Sequence, residues 1–446
     1  MKNENNSLDR RTFVKQSMAA SAAAVAAPGI LPPTFQEVKK SSGIKITDLR
    51  CAIMGNSPVI RIVTDAGISG YGQAETAKPY LKPFVLFYKD YLIGEDPTNV
   101  SRIMLKIRRM GSFKPWGSAV SAIEIALWDI AGKAANVPVY KLLGGKIRDK
   151  VRCYNGGVLR SALTDLSPKG YADVVSRMKD SPEGFSFVKM GIGFHGGRIA
   201  AIPNFYYGGL TPPAAGSKNA NHPYRGPLTE QGLKYLLDST EAMKKALGDN
   251  VNLALDIGPG FMLSDAIRVA KYMEPYNLMW LEDMLTGDYT PYTSADDYKE
   301  LTQSTTTPIH TGEQLYLRQT FRELIDRNAV RIVGPDPEDI GGIAELKWVA
   351  EYADLHSIQM APHGIFDGLI GLAAHVQVGA AMPENFIAFE YPAPAEKWWY
   401  EIIEGLPSPI VKDSLIEVWD RPGLGVEFNI KAAKAYLGNE DKKFFD

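Results

Sequence analysis

Cysteine is nearly absent: two thiols, Cys51 and Cys153, in 446 residues. Two cysteines so far apart give no zinc-site spacing and no disulfide framework. Both fall in strand-like runs, where a buried free thiol is the expected state. A dominant charge sign is absent too. The 49 basic and 51 acidic side chains leave a formal charge of −2, which gives no sign of a nucleic-acid or anionic-membrane binder. Long apolar runs are also missing. The most membrane-like run, residues 18–27, is half the roughly 20 residues a bilayer span needs. What remains is ordinary globular composition, 45% hydrophobic and 22% charged, in a chain long enough for a barrel of about 250 residues plus a second domain.

The first residues are not read as part of that fold. Asp9-Arg10-Arg11-Thr12-Phe13-Val14-Lys15 precedes the small apolar run, which ends in Ala-rich sequence before Pro28. A charged start, a short apolar stretch and a small-residue cleavage zone describe an export signal. The paired arginines, with Phe13 and Lys15, resemble the twin-arginine type. Residues 1–27 are therefore expected to be removed and the mature protein to be periplasmic. Residues 28–43, rich in Pro, Ser and Lys, read as a linker.

From residue 44 to 148 the pattern is a meander followed by helices. Strand-like runs at 45–54, 59–64 and 70–74 are punctuated by turns such as Asp65-Ala66-Gly67, and 118–135 has helical periodicity. This is an α+β capping domain. From 149 to 400 strands and amphipathic helices alternate. The strands fall at 151–155, 185–190, 252–256, 279–282, 309–313, 331–336, 357–363 and 386–390. Eight such repeats imply a closed parallel (β/α)8 barrel. Residues 192–228 interrupt the second repeat with Gly, Pro, Asn and aromatic residues and read as an ordered lid. Residues 401–446 return to the capping domain.

Three carboxylates close successive strands: Asp256, Glu282 and Glu313. Residues at the carboxyl ends of barrel strands converge on one mouth, and three carboxylates there repel unless a hard dication lies between them. Mg2+ suits oxygen donors and keeps positions open for substrate. Asp336 and His363, each at the end of a following strand, supply groups able to move protons.

The ordered set Ala126-Leu127-Trp128-Asp129, Leu142-Leu143-Gly144-Gly145, Trp280-Leu281-Glu282-Asp283, Thr311-Gly312-Glu313, Pro335-Asp336 with Gly341-Gly342, Ala361-Pro362-His363 and Arg421-Pro422-Gly423-Leu424-Gly425-Val426 resembles the mandelate racemase subgroup of the enolase superfamily. The resemblance covers nearly everything after residue 43. It implies Mg2+ on Asp256, Glu282 and Glu313, a His363–Asp336 dyad, an acid at Glu390, and removal of the proton α to a carboxylate. It also implies a symmetric homo-oligomer. A histidine base near neutrality and an aspartate that orients it fit that chemistry, and a neutral Glu390 would donate to the developing charge.

The chain departs from the subgroup at the second strand. Lys189 matches the first lysine of the usual Lys-x-Lys pair and is expected to polarise the substrate carboxylate, while Gly191 takes the place of the second. Asp283 is read as a neighbour of the metal rather than a ligand. The face opposite His363 thus lacks the usual base. That disfavours a two-base racemase and favours dehydration of a sugar acid, with His363 or a lid residue (Tyr206, Tyr207, Tyr224 or Arg225) returning the proton to the leaving hydroxyl. A cycloisomerase or epimerase of a related (anhydro) sugar acid is the alternative enzyme. A catalytically silent sugar-acid binder is the alternative outside enzymes. Loop residues of the first domain, Asn56 and Ser112-Phe113-Lys114-Pro115-Trp116, are placed to contact substrate.

Overall fold

Two glycines two residues apart decide how the capping domain packs. In a strand such residues share a face, and a Cβ at Gly70 or Gly72 would stand 2.2 Å from the Ala126 carbonyl oxygen or 1.9 Å from that of Ala122. Their absence of side chains lets a helix lie against the sheet. The computed structural model describes residues 43–75, 78–110, 117–156, 163–194, 199, 202–207, 226–258, 260–285, 293–364, 368–393 and 397–446. Strands β1 (Ile46–Met54), β2 (Ser57–Thr64) and β3 (Ser69–Gln73) form an antiparallel meander. Leu49 pairs with Ile62 and Cys51 with Ile60. Helices α1 (Val100–Met110) and α2 (Gly117–Ala135) cover the sheet and share one apolar core with it, including Ile60, Ile62, Ile103, Ile107, Ile123 and Ile130. Both cysteines are buried and free.

Eight short parallel strands follow. They are β4 (Lys150–Asn155), β5 (Phe187–Gly191), β6 (Asn252–Asp256), β7 (Leu281–Glu282), β8 (Ile309–Thr311), β9 (Ile332–Val333), β10 (Gln359–Met360) and β11 (Phe389–Tyr391). Pairing runs in chain order from β4 to β10, and β11 returns to β4. The ring closes where Ile387 N donates to Met360 O at 2.8 Å and Glu390 N to Pro362 O at 3.0 Å. Crossover helices α3 (Pro168–Lys179), α4 (Glu230–Leu247), α5 (Leu263–Met273), α6 (Ala295–Gln303), α7 (Arg318–Asp326), α8 (Ile343–Leu355) and α9 (Gly368–Ala381) separate the strands. Sequence dictates several starts. Ser167, Thr229 and Ser294 cap α3, α4 and α6 by accepting from Gly170 N, Gly232 N and Asp297 N, which satisfies otherwise unpaired helical amides.

Several strands are shorter than their sequence runs suggest. β9 ends at Val333 and β10 at Met360, because Pro335 and Pro362 carry no N–H with which to extend a ladder. Asp336 and His363 accordingly stand past the strands, in the loops of the barrel mouth.

The chain then returns to the cap. β13 (Leu415–Glu417) runs antiparallel to β4, and β12 (Ile403–Glu404) pairs with β14 (Glu427–Phe428). Leu424 N donates to Asp129 Oδ1 on α2 at 2.9 Å. Arg50 and Arg61 donate to backbone oxygens of Lys443, Phe444 and Asp446, and Phe444 and Phe445 are buried. Residues 44–446 form one compact unit. Among the described residues no helix is long and apolar enough to cross a membrane.

Candidate active site

Alternation along the strands builds the site in two layers. Inward-facing Phe187, Ala254, Trp280, Ala361 and Ala388 pack with Tyr154 and Ile332 as the floor of the barrel. Two residues further along each chain, on the same face, come Lys189, Asp256, Glu282, His363 and Glu390, all buried. An aromatic and aliphatic floor thus carries a ring of charged groups above it.

Lys189 is the centre of that ring. Its Nζ lies 2.6 Å from Glu282 Oε1, 3.1 Å from Glu390 Oε2 and 4.0 Å from Asp256 Oδ2. Burial works against the ammonium, but the Glu282 and Glu390 charges outweigh it and hold the Lys189 pKa well above the ordinary lysine value. The other oxygen of Glu282 accepts from Trp280 Nε1 at 2.8 Å and stands 3.4 Å from His310 Nδ1. The His310 ring stacks on Trp280, and its Nε2 lies 3.1 Å from the Ala361 carbonyl oxygen. Trp280 and His310 are supports that strand patterning alone did not single out.

The structure brings His363 and Asp336 together. Nδ1 of His363 is 2.7 Å from Asp336 Oδ2, while Nε2 is 3.5 Å from Glu313 Oε2 and 3.6 Å from Glu390 Oε2. Burial disfavours the imidazolium. The Glu313 charge, the Asp336 hydrogen bond and the Glu390 charge more than reverse that, and the His363 pKa stands well above its usual value. A dication among these carboxylates would oppose their pull. The neighbouring His375 on α9 behaves oppositely. It stacks on Phe389 with centroids 4.7 Å apart, and burial pushes its pKa down to about 4.

Glu282, Asp283 and Glu313 are buried, and each offers an oxygen within 4.8 Å of the other two. That is a hard-oxygen set able to hold a metal ion. Asp256 lies beside it, paired in register with Glu282 on one side and Gly191 on the other. Its Oδ1 accepts from Gly258 N at 2.9 Å. Asp283 belongs to the cluster because it leaves β7 with φ 50°, so strand alternation no longer directs its side chain. Thr311 Oγ1 donates to Asp283 Oδ1 at 2.8 Å. The only signal in sequence is that aspartate tolerates this left-handed conformation better than most residues.

The base of the lid is anchored. Tyr206 bridges Leu228, and Thr229 N donates to Phe205 O at 3.1 Å. Tyr206 is 2% exposed and Tyr207 64%, so only Tyr207 of that pair presents its ring to solvent. Tyr224 and Arg225, like the Ser112–Trp116 stretch named above, lie outside the described residues, and Asn56 is exposed in the β1–β2 turn.

Comparison with known proteins gives the same picture over nearly the whole chain. Residues 175–433 match the family model described as enolase C-terminal domain-like. Residues 52–144 match the mandelate racemase / muconate lactonizing enzyme N-terminal domain. A D-xylonate dehydratase from Haloferax volcanii is 32% identical, covering 90% of this chain and 91% of its own. A D-galactonate dehydratase family member from Cellvibrio japonicus is 30% identical, covering 88% and 95%. A mandelate racemase/muconate lactonizing enzyme-like protein from Rubrobacter xylanophilus superposes with TM-score 0.75 at 29% identity, covering 89% of this chain and 98% of its own.

Proposed function

The chain belongs to the mandelate racemase / muconate lactonizing enzyme family of the enolase superfamily, and from that premise we propose that it is a Mg2+-dependent dehydratase of a sugar acid. The observation that carries this reading is His363, fixed through Nδ1 by Asp336, with its Nε2 turned toward Glu313 and Glu390 beside a buried oxygen cluster. The dehydratase names of the two relatives support the reaction class.

Asp256, Glu282 and Glu313 would hold the ion, with Asp283 at its edge. When bound, Mg2+ supplies a Lewis acid that draws charge from the substrate carboxylate and makes its α-proton removable. Nε2 of His363 takes that proton, and Asp336 stabilises the resulting imidazolium. Glu390 faces the same space from β11, and Lys189 contributes positive charge among the carboxylates. Loss of the β-hydroxyl with a proton, from His363 or from a lid residue, releases water. The remaining enol ketonises to a 2-keto-3-deoxy acid. Gly191 at the end of β5 offers no proton-transferring group on the opposite side, which favours elimination over racemisation.

Mixing the protein and Mg2+ with aldonic and aldaric acids tests the assignment. A 2-keto-3-deoxy product is expected. Solvent deuterium entering C2 without net conversion would replace dehydration by epimerisation, and thermal stabilisation without any turnover would replace it by binding alone.

The proposal extends to location and assembly. The Arg10-Arg11 segment supports export, so Lys at both positions should retain the protein in the cytoplasm, and fractionation of the native protein checks this. A symmetric homo-oligomer is proposed from family membership, and light scattering in solution tests it.

A further inference from the structure

Several contacts tie the cap to one turn of the barrel mouth and to the residues that follow it. The turn runs from Asp336 to Ile340, where Asp339 N and Ile340 N both donate to Asp336 O, at 3.0 and 2.8 Å. Inside it, Glu338 N donates to Asp336 Oδ1 at 2.6 Å, while Asp336 Oδ2 holds His363. The turn therefore sets the direction of the Asp336 carboxylate. From α2, Ser121 Oγ accepts from Gly341 N at 2.9 Å, and Glu124 accepts from Ile343 N and Ala344 N at the start of α8. Gly117 packs so close that a Cβ there would stand 2.4 Å from the Asp339 carbonyl oxygen.

A further tie comes from the loop after β3. The Glu75 side chain hydrogen-bonds the buried Asp339 carboxylate and contacts Lys78 Nζ. Glu75 N is in turn held by Ser118 Oγ at 2.9 Å. Two carboxyl groups can share such a bond only if one keeps its proton. Burial and the Asp339 charge push the Glu75 pKa up to about 8. Burial lifts Asp339 only to about 6, because Lys78, the Glu75 hydrogen bond and His363 counteract it. At neutral pH Glu75 is the donor and Asp339 the acceptor. The other ionisable groups facing this pair are Lys78 and Tyr80 from the cap and Asp336 and His363 from the barrel.

We propose that Glu75, assisted by Lys78, is a positioning residue for the His363–Asp336 pair, acting through Asp339 and the Asp336–Ile340 turn. The cap then completes the orientation of the base without touching it. The inference rests on the dehydratase reading for its catalytic consequence, but not for its structural one.

Glu75→Ala and Glu75→Gln separate a positioning role from bulk stability. Glutamine still donates to Asp339 but has no proton to lose. With a substrate acid, Glu75→Ala should lower kcat about tenfold while KM stays within about threefold, and Glu75→Gln should recover most of the loss. The wild-type rate should fall above about pH 8 as Glu75 ionises against Asp339, and Glu75→Gln should lack that fall. Without any substrate, the low-field proton resonance of His363 Nδ1–H, assigned by its absence in His363→Asn, should shift or broaden in Glu75→Ala and return in Glu75→Gln. An unmoved resonance in a folded Glu75→Ala protein would overturn the proposal, as would an alkaline fall that persists in Glu75→Gln. A protein that turns over no sugar acid yet shows the resonance changes would sink the dehydratase reading alone.

Discussion

Lys189 Nζ lies 2.6 Å from Glu282 Oε1, and neither side chain touches solvent. The pair adjoins the buried Glu282–Asp283–Glu313 oxygen cluster, so the lysine offsets carboxylate charge that has no water to screen it. Removing one partner of a buried ion pair typically costs about 3–5 kcal/mol. Lys189→Met should therefore lower the unfolding temperature of metal-free protein, and added Mg2+ should restore part of the loss by supplying replacement charge. Calorimetry with and without Mg2+ measures this. An unchanged metal-free melting temperature would show that the lysine charge is not needed there.

Asp256→Asn, Glu282→Gln and Glu313→Gln should each weaken Mg2+ binding in titration calorimetry and abolish turnover, since each removes one anionic oxygen ligand. Asp283→Asn should weaken binding less than Glu313→Gln, because Thr311 already occupies one Asp283 oxygen. Full activity after exhaustive EDTA treatment would refute the metal assignment.

His363→Asn should abolish both product formation and α-proton exchange in D2O. Gly191 puts no second base on the far side, so no exchange should survive from that face. Asp336→Asn should retain intermediate activity, because the ring remains while its orientation and charge support are lost. Deuterium uptake by a folded, Mg2+-binding His363→Asn protein would reveal a second base.

Gly72→Ala should destabilise the cap, because its Cβ would meet backbone rather than a flexible side chain. Overpacking of this kind costs about 1–3 kcal/mol, and urea denaturation should show a lower midpoint. Gly67→Ala is the contrast: nothing stands within 4 Å of its Cβ, and the cost there comes from φ +73° alone.

How much of this was legible in sequence follows from periodicity. Phe187 below Lys189, and Ala254 below Asp256, are period-two relations within β5 and β6, and a strand run displays them directly. The barrel order and the residues of its mouth could be placed for that reason. Asp283, read from the sequence as a neighbour of the metal rather than a ligand, joins the oxygen cluster because one left-handed residue breaks the alternation. Glu75, Lys78 and Asp339 escaped because nothing local links a cap loop to the sixth barrel loop; only the docking of α2 brings them together. Trp280 is a core residue that also holds Glu282 from beneath, and the His310 ring stacks on it.

The way residues 443–446 are held has a consequence for biosynthesis. Arg50 reaches across 396 positions to the Asp446 backbone oxygen, so a strand translated early gains some of its side-chain partners only when the far residues emerge. Synthesis proceeds at about 5–20 residues per second, and throughout that interval Arg50 and Arg61 lack these partners. A ribosome-bound fragment ending at residue 430 lacks these contacts, and its cap should be cut by proteases more readily than that of the 446-residue chain.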